Sequence, residues 1–566
     1  MKRFRVALLG PVMIGLAGCG LTDLDVPNEN NPERERALEQ AKDIENVIGS
    51  AFLVWWEGTQ YSTPAWALST AADEGTMSWG NFGMQQLSSE PRVEWPNEPS
   101  FTYNDMTEDG WYGSYGALSS VYDGLRALAA DSEVAAAIDV DRARAFGKLV
   151  QGIAHGWLAM MYDSAFVLDE TVEIVEPDGV TPIRLVLRPY PNILDTAVAE
   201  IEEAIAIATA PGVSFTLPET WFDGNPMTNQ QLARFAHSYL ARLMTQVART
   251  PAERAAVDWV TVMNHVDAGI TSDISAQGTG SFERFFKSLE WYGYQVDDDT
   301  WARADYKTIG WTDTSGAFAS WLATPVADRD EFLLATADQR ITAPGDPQAD
   351  GTDFKYMGPS VFPSARGTYH YSVYGGKRFA AYPESDALLP ARWMTVVEMQ
   401  LAKAEGLVRT SGPSQAVADI INATRVTRGQ LPPALATESQ ADLMDKLIYE
   451  KRIEGYLLCS GCAYFDRRGF GPIAPTGPTF HHGPVEGTPV HFAPPGKELD
   501  ALQKRLYSYG GVGREGSSLS PSPSAPALQG ASVSGVPASR IYLSPPERGR
   551  RSEISRGAAA LSAIRY

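Results

Sequence analysis

Cysteine is scarce: the 566 residues hold three, Cys19, Cys459 and Cys462. So few exclude a disulfide framework as the main source of stability. Basic charge is also short. Forty-seven Lys and Arg stand against 69 Asp and Glu, a formal net charge of −22. Nucleic acid is therefore not expected as a partner, because its phosphates would be repelled. Long apolar runs are missing too. Val6 to Leu16 falls far short of the roughly 20 residues that a membrane-spanning helix needs, and nothing after it comes closer. No Trp precedes Trp55 or follows Trp393. Neither Gly-x-Ser-x-Gly nor His-Glu-x-x-His occurs, and no strict 34-residue period is visible. Apolar residues make up 44% of the chain, with 14 Trp, 23 Tyr and 21 Phe among the aromatics. That supports a large core in one large domain or two to three ordinary ones.

The amino terminus reads as an export signal. Lys2, Arg3 and Arg5 precede the apolar run, which ends in Leu16-Ala17-Gly18-Cys19. A Cys directly after Leu-Ala-Gly resembles the lipobox of bacterial lipoproteins, in which the thiol is acylated and becomes the first mature residue. The resemblance implies a signal peptide over 1–18, lipidation at Cys19 and a lipid-anchored tether over 19–35. The polar stretch Thr22 to Glu33 suits a flexible tether. At the other end, residues 512–566 are rich in Ser, Pro, Ala and Gly, and disorder is expected there.

Between these ends the pattern is helical. Ile44, Ile48, Phe52 and Trp55 recur at three- and four-residue steps and share a face. Phe146, Leu149, Ile153 and Trp157 form a second stripe; Leu194, Val198, Ile201 and Ile205 a third; Leu232, Phe235, Tyr239 and Leu243 a fourth. Thr228 or Asn229 caps the last of these. A partner helix runs from Pro251 to about Ala268. Helices resume over Pro390 to Val408, Pro413 to Arg428 and Glu438 to Leu458. Helix pairs in series look like tetratricopeptide-type units, which bury their apolar faces by stacking. Gly58 to Gly110 and about 281–390 have little helical period and read as loop-rich.

Several stretches together resemble the SusD/RagB-like nutrient-binding lipoproteins of bacterial outer membranes. They are Leu24 to Asn28, Ala143 to Tyr162, Leu194 to Ala208 and Ala391 to Ala404. To these add Ile448 to Glu454 followed by Tyr464 to Arg468, and His491 to Pro495 with Glu498-Leu499. Cys459-Ser-Gly-Cys462 and the insert Gly469 to Thr488 depart from the family pattern. The resemblance covers about residues 19–511. It implies a mostly α fold: tetratricopeptide-like helix pairs in a right-handed superhelical scaffold, with an irregular, loop-rich ligand-binding subdomain. The nutrient-binding domain would span 36–511. The resemblance also implies a non-catalytic protein at the outer membrane that hands an oligosaccharide or peptide to a TonB-dependent (SusC-like) transporter.

Aromatic faces can stack on sugar rings while polar neighbours bond the hydroxyls. Trp residues gather in two loop-rich segments, and loops on a rigid scaffold tend to carry binding residues. The candidates are Trp79, Trp95, Trp291, Tyr292, Trp301 and Trp311, with Asp73, Asn81 and Asp298 as polar partners. Each Trp can equally serve core packing or transporter contact. No cofactor or metal is expected. Asp297-Asp298-Asp299 lacks the spacing of a Ca²⁺ loop. His481, His482 and His491 with the two late cysteines have no recognised Zn²⁺ spacing. Cys459 and Cys462 read as a local disulfide or as two buried thiols. Glu450, Arg452, Glu454 and Arg468 read as structural. Two other functions compete: a surface glycoside hydrolase with paired carboxylates, and a scaffold lipoprotein.

Overall fold

The computed structural model describes residues 40–61, 63–77, 81–130, 135–174, 183–222, 224, 226–277, 287, 302–359, 372–379, 389–473 and 482–513. Its helices are α1 (Ala41–Thr59), α2 (Thr63–Ala71), α3 (Asp105–Ala130), α4 (Val140–Met161), α5 (Tyr190–Ala208), α6 (Asn229–Gln246), α7 (Trp259–Asp267), α8 (Val396–Ser411), α9 (Gln415–Arg425), α10 (Gln440–Glu454) and α11 (Cys462–Arg468). Other short helices, among them Tyr306–Ile309 and Ala317–Ala323, and two-stranded ribbons join them. The fold is thus mostly α. Among the described residues no helix is long and apolar enough to cross a membrane.

The apolar stripes become the contact faces of a helix stack. α1 packs on α3, α3 on α4, α4 on α5, α5 on α6, α6 on α7 and α7 on α8; α8, α9 and α10 then close on one another. Ile44, Ile48, Phe52 and Trp55 are buried as their spacing requires, and so are Phe146, Leu149, Ile153 and Trp157. α5 differs. Its buried face is Ile193, Ala197, Ile201, Ala204 and Ala208, while Leu194, Val198 and Ile205 are only partly covered. Small residues let α4 come close, and the larger ones flank that seam. Thr228 caps α6: its hydroxyl accepts from the Gln231 N–H, and the Gln231 side chain accepts in turn from the Thr228 N–H.

Two expected helices are modified. The segment after Pro251 breaks into Pro251–Ala255 and α7, because Asp258 accepts from the Thr261 N–H and restarts the helix. The helix expected from Pro390 begins instead as the strand Ala391–Met394. That strand pairs antiparallel with Ile274–Ala276, and Thr395 then caps α8. The strand drives Trp393 into the core. Its ring centroid lies 5.1 Å from Trp56, 5.5 Å from Phe235 and 6.0 Å from both Phe52 and Trp55. Its Nε1–H donates to Gln60 Oε1 at 3.2 Å.

Residues 302–359 and 372–379 cover a second core of Tyr306, Ile309, Phe318, Trp321, Phe354 and Tyr374, which is closed from below by Tyr449, Ile453 and Tyr456. Little regular structure holds this part. Buried arginines do. Arg340 is fully buried and bonds Asp338 at 2.8 Å, Glu450 at 2.6 Å and Glu454 at 3.0 Å. Arg468 donates to the carbonyls of Met160 (2.7 Å), Val490 (2.6 Å) and Gln246 (2.9 Å), which joins three distant segments. Glu450, Arg452, Glu454 and Arg468 are thus tied into the body of the protein. A disulfide links Cys459 and Cys462.

α1 and α3 cross at backbone contact. A Cβ on Gly113 would lie 2.7 Å from the Gly58 Cα. Gly113→Ala should therefore destabilise the protein by about 1–3 kcal/mol through overpacking. The loss is expected even though Ala in a helix gains up to about 1 kcal/mol over Gly. Urea unfolding checks this; a variant as stable as the parent would show that the two helices separate freely.

Candidate functional site

A short ladder organises the region in which the candidates fall. β1 (Gly75–Met77) pairs antiparallel with β2 (Ala302–Ala304) in the register Gly75↔Ala304, Thr76↔Arg303, Met77↔Ala302. Asp73 enters the ladder in left-handed backbone, φ 52°. Asp and Asn tolerate that conformation better than most residues. The Asp73 carboxylate is buried and accepts from Arg92 Nη2 at 2.8 Å, Lys307 Nζ at 3.2 Å and the Val485 N–H at 3.2 Å. Lys307, just beyond β2, also pairs with Glu90 at 2.6 Å. The surrounding carboxylates hold its ammonium charged against burial, well above the usual lysine range.

Trp311 lies in the one-turn 3-10 helix Gly310–Thr312, directly after the short helix Tyr306–Ile309 that carries Lys307. Its Nε1–H donates to the Lys307 carbonyl at 2.6 Å, and the ring is half-buried. Its edge meets Phe318 at 5.2 Å, and the His482 ring lies 5.1 Å away. The Arg452 guanidinium lies 5.1 Å from the ring centroid, within cation–π range. Lys307 therefore joins two expected residues, Asp73 through its ammonium and Trp311 through its carbonyl.

The other candidates divide. Trp95 is 2% exposed, with its ring edge-on to Phe101 and Phe492. The Gly83 backbone lies so close that a Cβ there would come within 2.5 Å of the ring. Trp95 therefore packs as a core residue. Asn81 opens a one-turn helix, Asn81–Gly83. Trp79, Trp291, Tyr292, Trp301 and Asp298 lie outside the described residues, as do Cys19, Asp297, Asp299 and His481. The Met77↔Ala302 pair nonetheless bears on two of them. Trp79 follows Met77 by two residues and Trp301 precedes Ala302 by one, so one end of the ladder leads into both.

Phe82 was not among the candidates. It is half-buried at φ 59°, and its ring stands edge-on to Trp66 with centroids 4.2 Å apart. A bulky residue in left-handed backbone is a genuine outlier and points to a special site. Asn81-Phe82-Gly83 carries the signal, since Asn and Gly flank such turns. Lys307 had no comparable signal: its role depends on carboxylates remote in sequence.

Behind the ladder, a cleft of about 740 Å³, open solvent included, runs between α6, α8, α10 and α11. Its walls carry paired charges, Arg242 with Glu398 at 2.6 Å and Lys451 with Asp466 at 2.6 Å. Glu74 reaches its floor and accepts from the Leu457 N–H at 2.6 Å. Burial pushes its carboxyl up to about 7, although Arg467 opposes the shift. Asp305 is pushed up to about 7 for the same reason. Both are buried, so these shifts act on stability. His482 Nε2 lies 2.8 Å from Asp445, and His491 is buried against Tyr509.

No family model matches the chain, and no curated protein matches it. Solved structures do. A SusD superfamily protein from Parabacteroides distasonis aligns with a TM-score of 0.55 at 13% identity, over 83% of this chain and 97% of that one. A SusD superfamily protein from Bacteroides vulgatus gives 0.48 at 13% identity, over 82% and 97%. A SusD-like protein from Bacteroides fragilis gives 0.48 at 12% identity, over 83% and 96%.

The Glu74 environment has a pH signature. Its folded pKa lies above the ordinary 4.5, so the folded state binds the proton more tightly than the unfolded chain does. The stability this proton contributes is complete below about pH 4.5 and is lost as pH rises through about 7. Glu74→Gln keeps an acceptor for the Leu457 N–H and removes the ionisation. Its stability relative to the parent should therefore rise between pH 5 and pH 8, read as urea midpoints. A constant difference across that range would refute the assignment. With its helices stacked in series and its irregular part closed over α10, the chain has the fold of the SusD superfamily.

Proposed function

We propose that this protein is a non-catalytic surface receptor. It captures a nutrient, an oligosaccharide in the first instance, and passes it to a TonB-dependent transporter of the outer membrane. The observation that carries the reading is the Met77↔Ala302 register, which joins the chain leading to Trp79 with the chain leading from Trp301. Beside that ladder, Lys307 fixes the half-buried ring of Trp311. Aromatic faces suit the apolar C–H faces of sugar rings, and the residue types next to this ladder in sequence, Trp79 and Trp301, support that use. The SusD fold supports the same reading, as do the sequence stretches that resemble the nutrient-binding lipoproteins. The anchor in this proposal is a lipid on Cys19, and more than one acyl chain would make the attachment stable.

Binding is tested on the full chain with a panel of soluble glycans, followed by tryptophan emission. At least one glycan should shift the emission without release of reducing sugar. Trp79→Ala and Trp301→Ala should each weaken that glycan tenfold or more, a loss of about 1.4 kcal/mol. Release of sugar would favour the hydrolase, and silence across glycans and peptides would favour the scaffold.

Anchoring has its own test. Cells fed a clickable palmitate analogue should label the parent and not Cys19→Ser, and the variant should leave the membrane fraction. Equal fractionation of the two would exclude the lipid anchor.

A further inference from the structure

Two histidines on neighbouring helices stand apart from everything above. His237 lies on α6 and His265 on α7, 28 residues apart in sequence, and their Nδ1 atoms are 2.9 Å apart. Both rings are half-buried, with centroids 5.2 Å apart and planes inclined by 39°. The packing around them is tight. Ser238 Oγ accepts from the Ile270 N–H at 2.9 Å, and Arg234 donates to the Gly269 carbonyl at 3.3 Å, so the chain just past α7 is tied to α6 beside the pair.

At 2.9 Å the two nitrogens share one proton, and both cannot carry one. Burial and, for His237, the neighbouring ring hold the pair toward the neutral form. Neutral imidazole is the form that binds metals. Two ligands on one tetrahedral Zn²⁺, at Zn–N distances of about 2.0–2.1 Å, lie roughly 3.3 Å apart. The nitrogens need to part by only about 0.4 Å, with the rings tilting so that both lone pairs point at the ion, for a metal to take the place of the shared proton. Glu202 of α5 is exposed and acts electrostatically on His265. Asp267 of α7 is already paired with Lys403 of α8. No group of three His, Cys, Asp or Glu side chains is assembled here among the described residues, so solvent must complete the coordination.

We propose that His237 and His265 form a two-imidazole binding site for a borderline-soft divalent transition metal, of which Zn²⁺ is the probe. Imidazole suits Zn²⁺, Ni²⁺ and Cu²⁺, whereas Ca²⁺ and Mg²⁺ take oxygen ligands. The bound ion clips α6 to α7 and stabilises the folded state by mass action.

The test uses the full chain, stripped with EDTA, at pH 7.5. Zn²⁺ is titrated by calorimetry and by thermal unfolding, with Ca²⁺ as the control. The site should take up one equivalent of Zn²⁺ with micromolar affinity and raise the melting temperature, and Ca²⁺ should do neither. That equivalent should weaken tenfold or more in His237→Gln and, separately, in His265→Gln. It should also be lost on acidification, as the imidazoles protonate. Circular dichroism of the two variants confirms that both fold. No Zn²⁺ uptake by the parent, or uptake unchanged in either folded variant, would overturn the proposal.

Discussion

Buried guanidinium groups hold this protein together where disulfides and sheets do not. Arg254 sits between Glu405 at 2.7 Å and Asp466 at 2.8 Å with no exposed surface. Arg249 donates to the carbonyls of Ala159 and Tyr162, both at 2.7 Å. Arg340 gathers Asp338, Glu450 and Glu454. A guanidinium offers five donors in a rigid fork, so one side chain can satisfy backbone acceptors from several segments. Lysine, with one ammonium on a flexible stem, could not take these places. The arrangement has a vulnerability. Removal of one member strands a buried charge, a loss of about 3–5 kcal/mol at a paired site.

The helix stack was readable because stacking uses the same periodicity that the sequence displays. Ile44 to Trp55 and Phe146 to Trp157 each mark one face, and those faces are buried. Thr228 was readable because capping chemistry is local. The strand Ala391–Met394 was not. Its partner, Ile274–Ala276, lies more than a hundred residues earlier, and helical propensity after Pro390 said nothing of it. On α5 the expected stripe was offset because α4 approaches over alanine and glycine; a Cβ on Gly152 would meet Ile201 at 2.3 Å.

The candidate site was legible only in outline. Asp73 and Trp311 were singled out on residue type, and the structure places both on Lys307. Trp95 has the same residue type and packs in the core instead. Composition does not separate a Trp that faces a ligand from one that faces Phe492, because both favour the same loop-rich surroundings. Phe82 shows the complementary failure. What distinguishes it is a backbone angle, which only the folded chain exhibits.

The arginine bonds also reach across most of the sequence. Arg468 bonds the Met160 carbonyl across 308 positions, Arg467 the Ala72 carbonyl across 395, and the Ser460 N–H bonds Gln60 across 400. The earliest helices to leave the ribosome thus wait for partners made hundreds of residues later. Until α11 arrives, the carbonyl ends of α2 and α4 and the floor beneath Gln60 stay open to water or to other chains. Contacts of such long range slow folding and prolong that exposure. The segment from Ser460 to Arg468 therefore acts as the keystone of the stack, and a chain cut short before Cys462 would keep its helices and the Arg249 and Arg340 contacts but lose the bonds of Arg467 and Arg468.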